Sequence, residues 1–194
     1  MAKRNSPSCD RNKQPILDVI APHFFKVSQI LEIGSGTGQH AVFFAKHLPH
    51  VIWQTSDVVD NHDSINAWIT ESMLSNVQSP VEFMLGRDSW PAINVDAVFT
   101  ANTTHIMQPQ EAKIMMEQVA QHLPRGGVFC QYGPMKVNGE FTSESNQAFD
   151  CKIRGEGRGG IRDIEELKEW AVDMTLSEIY PMPANNFLLV WHKH

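Results

Sequence analysis

Apolar and polar positions along the 194-residue chain follow two rhythms. Short apolar runs at 29–33, 51–55, 81–85, 95–100 and 127–132 have the length of buried strands. Between them, apolar residues recur at helical spacing. Ile16, Leu17, Val19 and Ile20 predict a helix within 12–25, with Pro15 suited to its first turn. Ala41, Val42, Phe44, Ala45 and Leu48 predict a second helix that stops at Pro49. Others fall near 61–75 and 109–122, the latter closed by Pro124-Arg-Gly-Gly127. Past 133 the pattern is lost until a helix over 161–174 and two final strands that flank Pro181-Met-Pro183. The alternation predicts a single α/β domain over 1–194. Its expected form is a Rossmann-like, mostly parallel seven-stranded sheet with helices on both faces and an antiparallel C-terminal strand. A stretch as long as 133–160 without periodicity predicts a lid or substrate loop.

The first strand, Gln29-Ile-Leu-Glu-Ile33, runs straight into Gly34, Gly36 and Gly38. Such a turn sets backbone N–H groups and a helix N-terminus at the sheet edge, where a nucleotide-like ligand approaches without meeting a Cβ. Dinucleotide sites space their glycines G-x-G-x-x-G, so that pyrophosphate sits on the helix start. Here the third glycine comes one residue early. Glu32, two residues before the loop, would repel pyrophosphate but could orient the ammonium of a methionine-like group. S-Adenosylmethionine therefore fits better than NAD. The run 51–55 ends at Ser56-Asp57, and Asp57 lies 23 residues after Gly34. A ribose-binding carboxylate follows such a loop by roughly 20 residues. The same side chain could cap the next helix, and the two tasks are compatible.

Composition narrows the partners. Apolar content of 42% and charged content of 20% are ordinary for a soluble globular domain. With 16 Lys+Arg against 22 Asp+Glu, the net charge of −6 gives nucleic acid or an acidic membrane no global support. Cys9, Cys130 and Cys151 are odd in number and form neither C-x-x-C nor a disulfide framework, which points to a reducing cytosol. The first residues are polar and no apolar run approaches membrane-spanning length, so neither signal peptide nor anchor is expected. The nine histidines show no zinc-type spacing, and no metal is expected. The expected partner is a small molecule, in a cytoplasmic protein whose oligomeric state is open.

Further anchors run along nearly the whole chain. They are Arg11-Asn-Lys, Leu31-Glu-Ile-Gly-Ser-Gly-Thr-Gly-Gln-His-Ala41, Trp53-Gln-Thr-Ser-Asp57, Trp90-Pro91, Thr100-Ala-Asn-Thr-Thr-His-Ile-Met107, Tyr132-Gly-Pro134, Phe141-Thr-Ser-Glu-Ser-Asn146, Phe149-Asp150, Gly160-Ile-Arg-Asp163 and Met182-Pro-Ala-Asn-Asn186. On these the chain resembles class I S-adenosylmethionine-dependent methyltransferases and, among them, the methyltransferase-like protein 26 family.

The resemblance implies S-adenosylmethionine as cofactor and methyl transfer as activity, without naming the acceptor. Gly34, Ser35, Gly36 and Gly38 would surround the methionyl part, since only glycine lets the main chain come so near. Asp57 would take the ribose hydroxyls. Similar methyltransferases use an acidic residue after the third strand for the adenine amino group, a place that Asp88 and Ser89 fill here. Asn102 follows the fourth strand at the carboxyl edge, where open α/β sheets bind ligands.

Transfer from a sulfonium needs alignment and exclusion of water more than acid–base chemistry, yet a base helps when the acceptor carries a proton. His105 is expected as that base or as a hydrogen-bonded pocket residue. Tyr132, Glu144 and Asn146 are further acceptor-side candidates. The segment Asn102-Thr-Thr-His105 lacks the paired prolines and aromatic residue of the amino-methylating DNA motif, which argues against a nucleobase acceptor. Lys152, Arg154, Arg158 and Arg162, interleaved with Gly155, Gly157, Gly159 and Gly160, suit a lid that closes over a carboxylate or phosphate. The plainer possibility is a solvated charge run. The main expectation is thus a methyltransferase acting on an unidentified small molecule, an anion if the basic cluster forms such a lid. The alternative is a non-catalytic S-adenosylmethionine-binding interaction protein.

Overall fold

A computed structural model describes residues 3–194. The chain divides into two compact units, one ending at Thr100 and the other running from Ala101 to His194.

In the first unit, helix α1 spans Pro7–His23 and buries Asn12, Ile16, Leu17 and Ile20. It starts earlier than the sequence suggests, because Pro7 takes the first turn, and Pro15 lies inside the helix with Pro22. An interior proline costs about 3 kcal/mol. Ile16, Leu17 and Ile20 are at most 7% exposed, and each contributes about 1.5–3 kcal/mol on burial. Packing therefore wins over propensity. Strand β1 (Gln29–Ile33) leads through the glycines into α2 (Gln39–His47), followed by β2 (Ile52–Asp57), α3 (Val59–Ser72), β3 (Val77–Glu82) and β4 (Ala97–Ala101). β1 is flanked by parallel strands on both sides, with Glu32 opposite Thr55 of β2 and Phe99 of β4. Such a strand reads as an unbroken apolar run. Phe44, Trp53 and Phe99 pack together with ring centroids 5.5, 5.3 and 5.6 Å apart. β3 lies earlier than the expected 81–85. It pairs parallel with β2, Trp53 opposite Val77 and Asp57 opposite Glu82. Its own residues are largely exposed or half-buried, so no apolar run marks it, while Phe83 and Leu85 are buried just past its end.

In the second unit, α4 (Pro109–His122) opens with a capping box between Gln108 and Glu111. Strand β5 (Val128–Gly133) is buried throughout. The stretch expected as an irregular lid is instead regular. It holds a hairpin of β6 (Lys136–Val137) and β7 (Glu140–Phe141) and then helix α5 (Glu144–Gly155). Ser143 caps α5 by accepting the Asn146 N–H. The buried residues of α5 are Asn146, Asp150 and Ile153, one face at i, i+4 and i+7 with two polar members. A search for apolar periodicity passes over such a helix. Helix α6 (Ile164–Trp170) is shorter than the expected 161–174, since Asp163 caps it in a box with Glu166. Asp173, at φ 61°, turns the chain into β8 (Met174–Met182). A short 3-10 turn at Pro183–Asn185 leads to β9 (Asn186–Lys193), which is antiparallel to both β8 and β5.

The strands form one seven-stranded sheet in the order β3-β2-β1-β4-β5-β9-β8. This is a Rossmann-like α/β sheet, mostly parallel, with an antiparallel C-terminal pair. Among the described residues no helix is long and apolar enough to cross a membrane.

Candidate functional site

Gly34, Gly36 and Gly38 have φ of 73°, 59° and 93°, the left-handed region that glycine adopts without strain. The loop is drawn over the end of β2. The N–H groups of Gly34 and Ser35 both donate to the Ser56 carbonyl, at 3.1 and 2.9 Å. Ser56 Oγ in turn donates to the Glu32 carbonyl at 2.6 Å. Gly38 caps α2 and has no room for a side chain, since a Cβ there would lie 2.9 Å from Ile65 Cα. A Cβ on Gly36 would meet nothing within 4 Å, so that face of the loop is open.

Asp57 is 8% exposed, and both its oxygens are engaged. Oδ2 accepts the Gly36 N–H at 2.6 Å. Oδ1 accepts from the Val58 N–H and from Asn61 Nδ2, each at 2.7 Å, and Asn61 Oδ1 accepts from the Arg4 guanidinium. Asp57 therefore ties the glycine loop to the tip of β2. Glu32 is 2% exposed and accepts the Trp53 Nε1–H at 3.0 Å. Burial, reinforced by the Asp57 charge, raises the Glu32 carboxyl to about 7, against the hydrogen bonds from Trp53 and Ser35. Two acidic groups beside an open glycine loop suit a cationic ligand. Asp88 closes a turn by accepting the Met84 N–H at 2.7 Å, and Ser89 beside it is exposed. That turn follows Phe83, whose N–H donates to the Asp57 carbonyl at 3.1 Å. Glu32, the glycines, Asp57 and the end of β3 thus gather at one end of the first unit.

Sequence reasoning assigned no role to Asn12, His40, Ser56 or Asn61. His40 Nε2 and Asn12 Oδ1 lie 2.7 Å apart in a buried pair that joins α1 to α2 just past the loop. Burial first, then the Lys13 charge, holds the His40 ring down to about 4. The signal was present, since both residues stand in motifs that carry the family resemblance.

In the second unit, Asn102 has φ 59°, a left-handed conformation uncommon outside glycine. Its N–H donates to the Tyr132 carbonyl at 2.9 Å. His105 is 7% exposed, and its buried Nδ1 has no hydrogen-bond partner. The ring meets Phe149 edge-on with centroids 5.3 Å apart, and a Cβ on Gly133 would stand 3.8 Å from Nδ1. Burial, then the Arg158 charge, lowers the ring's pKa to about 4, so it is neutral at neutral pH. Tyr132 is buried on β5, and Glu144 is exposed at the start of α5. Asn146 is buried, with Nδ2 donating to Thr142 Oγ1 and the Asn185 carbonyl at 3.1 and 2.9 Å.

The basic cluster does not present one charged face. Arg154 Nε donates to Asp150 Oδ2 at 2.7 Å. Arg162 is 4% exposed and donates to the Gly159 carbonyl from Nη2 at 2.6 Å and to the Gly160 carbonyl from Nε at 3.2 Å. Lys152 and Arg158 remain exposed.

The sheet order and the loop after β1 define a class of protein: the fold is that of class I methyltransferases. The chain belongs to the family whose model is described as "Protein of unknown function (DUF938)", which matches residues 3–193. It is 28% identical over 142 residues to Methyltransferase nsrG of Aspergillus novofumigatus (strain IBT 16806), covering 71% of this chain and 50% of the relative. An O-methyltransferase family protein from Burkholderia thailandensis superposes with a TM-score of 0.80 at 16% identity, over 96% of this chain and 57% of that one. Human N-acetylserotonin methyltransferase in complex with S-adenosylmethionine gives 0.81 at 13% identity, over 96% and 52%. The chain therefore spans about half the length of these relatives. At such identities the structural likeness establishes the fold.

Proposed function

We propose that this chain is an S-adenosylmethionine-dependent methyltransferase acting on a small molecule, in keeping with its resemblance to the methyltransferase-like protein 26 family. The observation that carries the reading is the acidic glycine loop after β1: three left-handed glycines, an open face at Gly36, and Glu32 and Asp57 beside it. When bound, S-adenosylmethionine supplies a sulfonium-activated methyl group, a donor that is already cationic. Glu32 and Asp57 favour that charge. Gly34, Ser35, Gly36 and Gly38 give backbone access to the methionyl end, Asp57 offers acceptors to the ribose, and Asp88 with Ser89 lies on the adenine side. Asn102, left-handed at φ 59°, is assigned to the cofactor on the strength of the resemblance.

On the acceptor side, His105 is the group we assign to contact with the acceptor, supported by its buried, unpartnered Nδ1. A neutral imidazole is in the state needed to accept a proton, although a pKa near 4 makes it a weak base. Its larger contribution is orientation. Tyr132, Glu144 and Asn146 are assigned to the same side. For an anionic acceptor, Arg158 is the best-placed cation, since its charge is felt at His105.

Calorimetry tests the cofactor. S-Adenosylmethionine and its demethylated product should bind, and NAD far more weakly. Tight NAD binding without S-adenosylmethionine binding would sink the reading. Labelled S-adenosylmethionine incubated with a cell metabolite extract then reports whether an acceptor is methylated at all. A protein that binds the cofactor but labels nothing would favour the non-catalytic alternative.

A further inference from the structure

In the second unit a charged network, with Asp150 and Arg162 buried and Arg154 exposed, converges on one short stretch of backbone. Asp150, 5% exposed, accepts the Ile161 N–H at 2.6 Å on one oxygen and Arg154 Nε–H at 2.7 Å on the other. Arg162 spans the carbonyls of Gly159 and Gly160 from the other side. Residues 157–161 are thereby held against the segment that carries His105. The Gly160 N–H donates to the His105 carbonyl at 3.0 Å and the Gly159 N–H to the Ile106 carbonyl at 3.4 Å. Gln108 Nε2 donates to the Gly157 carbonyl at 2.8 Å. The backbones touch so closely that a Cβ on Gly159 would stand 1.7 Å from the Met107 carbonyl oxygen, and one on Gly160 2.4 Å from the Arg154 guanidinium.

Buried charges are costly unless every donor and acceptor is matched. Here they are matched to backbone, and the product of the matching is a fixed position for residues 105–108. His105 is the titratable side chain at that position. Its Nδ1 has nothing to hold it, so the ring's orientation depends on its main chain and on Phe149, which sits one residue before Asp150 on α5.

We propose that Asp150, Arg154 and Arg162 form a brace that positions His105, fixing the 157–161 backbone against it so that the imidazole is held in one orientation for the methyl acceptor. They are positioning residues that touch no substrate. The proposal rests on the reading of His105 as the acceptor-facing group. It gives the arginines a different task from a clamp: Arg162 is spent on buried carbonyls and Arg154 on Asp150, and their loss loosens a ring rather than removing an anion site.

Three measurements on the full chain test it. In the unaltered protein the amides of Gly160 and Ile161 should exchange with solvent about 100-fold more slowly than in unstructured peptide. Asp150→Asn keeps one acceptor oxygen and turns the other into an NH2 donor, so at most one of the two hydrogen bonds survives and it is uncharged, and Arg162→Lys replaces the planar fork of Nε and Nη2 with a single ammonium. In either variant Gly160 protection should fall by about tenfold. The His105 ring, followed by NMR, should titrate about one pH unit higher as water reaches it. Affinity for S-adenosylhomocysteine, measured by calorimetry, should stay within about twofold. A folded Asp150→Asn variant in which His105 titrates as before overturns the brace. So does fast exchange at Gly160 in the unaltered protein, which decides the matter even if both variants fail to fold. The His105 reading has its own test: His105→Asn should abolish labelling of the metabolite extract. Full labelling there would remove the acceptor role while leaving the exchange and titration results to judge the brace.

Discussion

Residues 29–57 and residues 133–163 are stretches of similar length built on opposite terms. In the first, nine buried apolar side chains, Ile30, Leu31, Ile33, Ala41, Phe44 and Trp53 among them, repeat at strand and helix spacing, and the eight buried polar ones are set among them. In the second, Asn146, Asp150, Arg162 and Asp163 are buried, and the groups they hold are largely backbone. A hydrogen bond contributes a net of about 0.5–1.5 kcal/mol, and a buried methylene about 0.8 kcal/mol. Polar matching can therefore order a segment as firmly as apolar packing does. The two differ in how they fail. An apolar segment tolerates swaps that conserve volume, whereas a polar one leaves partners unsatisfied at about 1–3 kcal/mol each.

The largest effect should come from a single methyl group at the closest contact of the second region. Gly159→Ala places a Cβ 1.7 Å from the Met107 carbonyl oxygen, and neither backbone can give way cheaply. Overpacking usually costs about 1–3 kcal/mol, and a clash with backbone belongs at the top of that range or beyond. Each kcal/mol is worth about 2–4 °C in Tm for a chain of this size, so a melt should show a fall of about 6–12 °C. Gly155→Ala is the control. It ends α5 with open space around it, and its melt should be unchanged or slightly higher. Equal melting temperatures for the two variants would mean that the 157–161 backbone is not pinned.

The same contrast decides what was legible in the sequence. The parallel sheet, the helices 39–47 and 109–122 and the glycine turn after β1 were visible, because apolar rhythm and glycine placement are local properties. α5 was not, since its buried face begins Asn146, Asp150. Two local signs did exist: Ser143 ahead of a helix start, and Asp150 with Arg154 at i, i+4. The edge strand β3 was misplaced because its position follows pairing with β2, which only the folded sheet supplies. Arg162 was chosen as a substrate clamp because charge in a sequence looks solvent-exposed until a carbonyl is found to meet it. His105 was legible as chemistry, but its unpartnered nitrogen and lowered pKa were not.

Glu32, a carboxyl buried in β1, has a pH dependence of definite sign. Its folded pKa of about 7 lies above the ordinary 4.5. Below 4.5 both folded and unfolded forms are protonated and the group costs nothing. As pH rises to 7 the unfolded chain ionises first, and stability is lost, on the order of 3 kcal/mol in all. Glu32→Gln should therefore melt progressively higher than the parent between pH 5 and about 8, while binding S-adenosylmethionine less well at the upper end. In the parent, binding of that cation should tighten as pH passes about 7. A constant difference in Tm across the range would show that Glu32 is already ionised in the fold.

Asp57→Ala should act chiefly on the ligand. It removes the acceptor assigned to the ribose hydroxyls, so S-adenosylhomocysteine affinity should weaken by about 1–3 kcal/mol, the range for losing a hydrogen-bond partner, while the loss of acceptors for Gly36, Val58 and Asn61 falls on stability. Calorimetry on a folded variant reads this directly. Unchanged affinity would move the ribose contact elsewhere, with Asp60 the next candidate.

The smallest effect expected is that of Arg158→Ala, and it separates the two uses of charge in the second region. Arg158 is exposed, unlike Arg162. Its removal should leave stability within about 0.5 kcal/mol of the parent, as for surface substitutions generally. Its charge opposes protonation of His105, so the ring's pKa should rise when it is lost. Burial is the larger cause and stays in place, which keeps the ring below its ordinary 6.5. If the acceptor is an anion, the same substitution should raise its KM and leave kcat nearly intact, because a solvent-facing cation helps ground state and transition state alike. A fall in kcat at constant KM would instead place Arg158 with the brace, acting through His105 on the reaction itself.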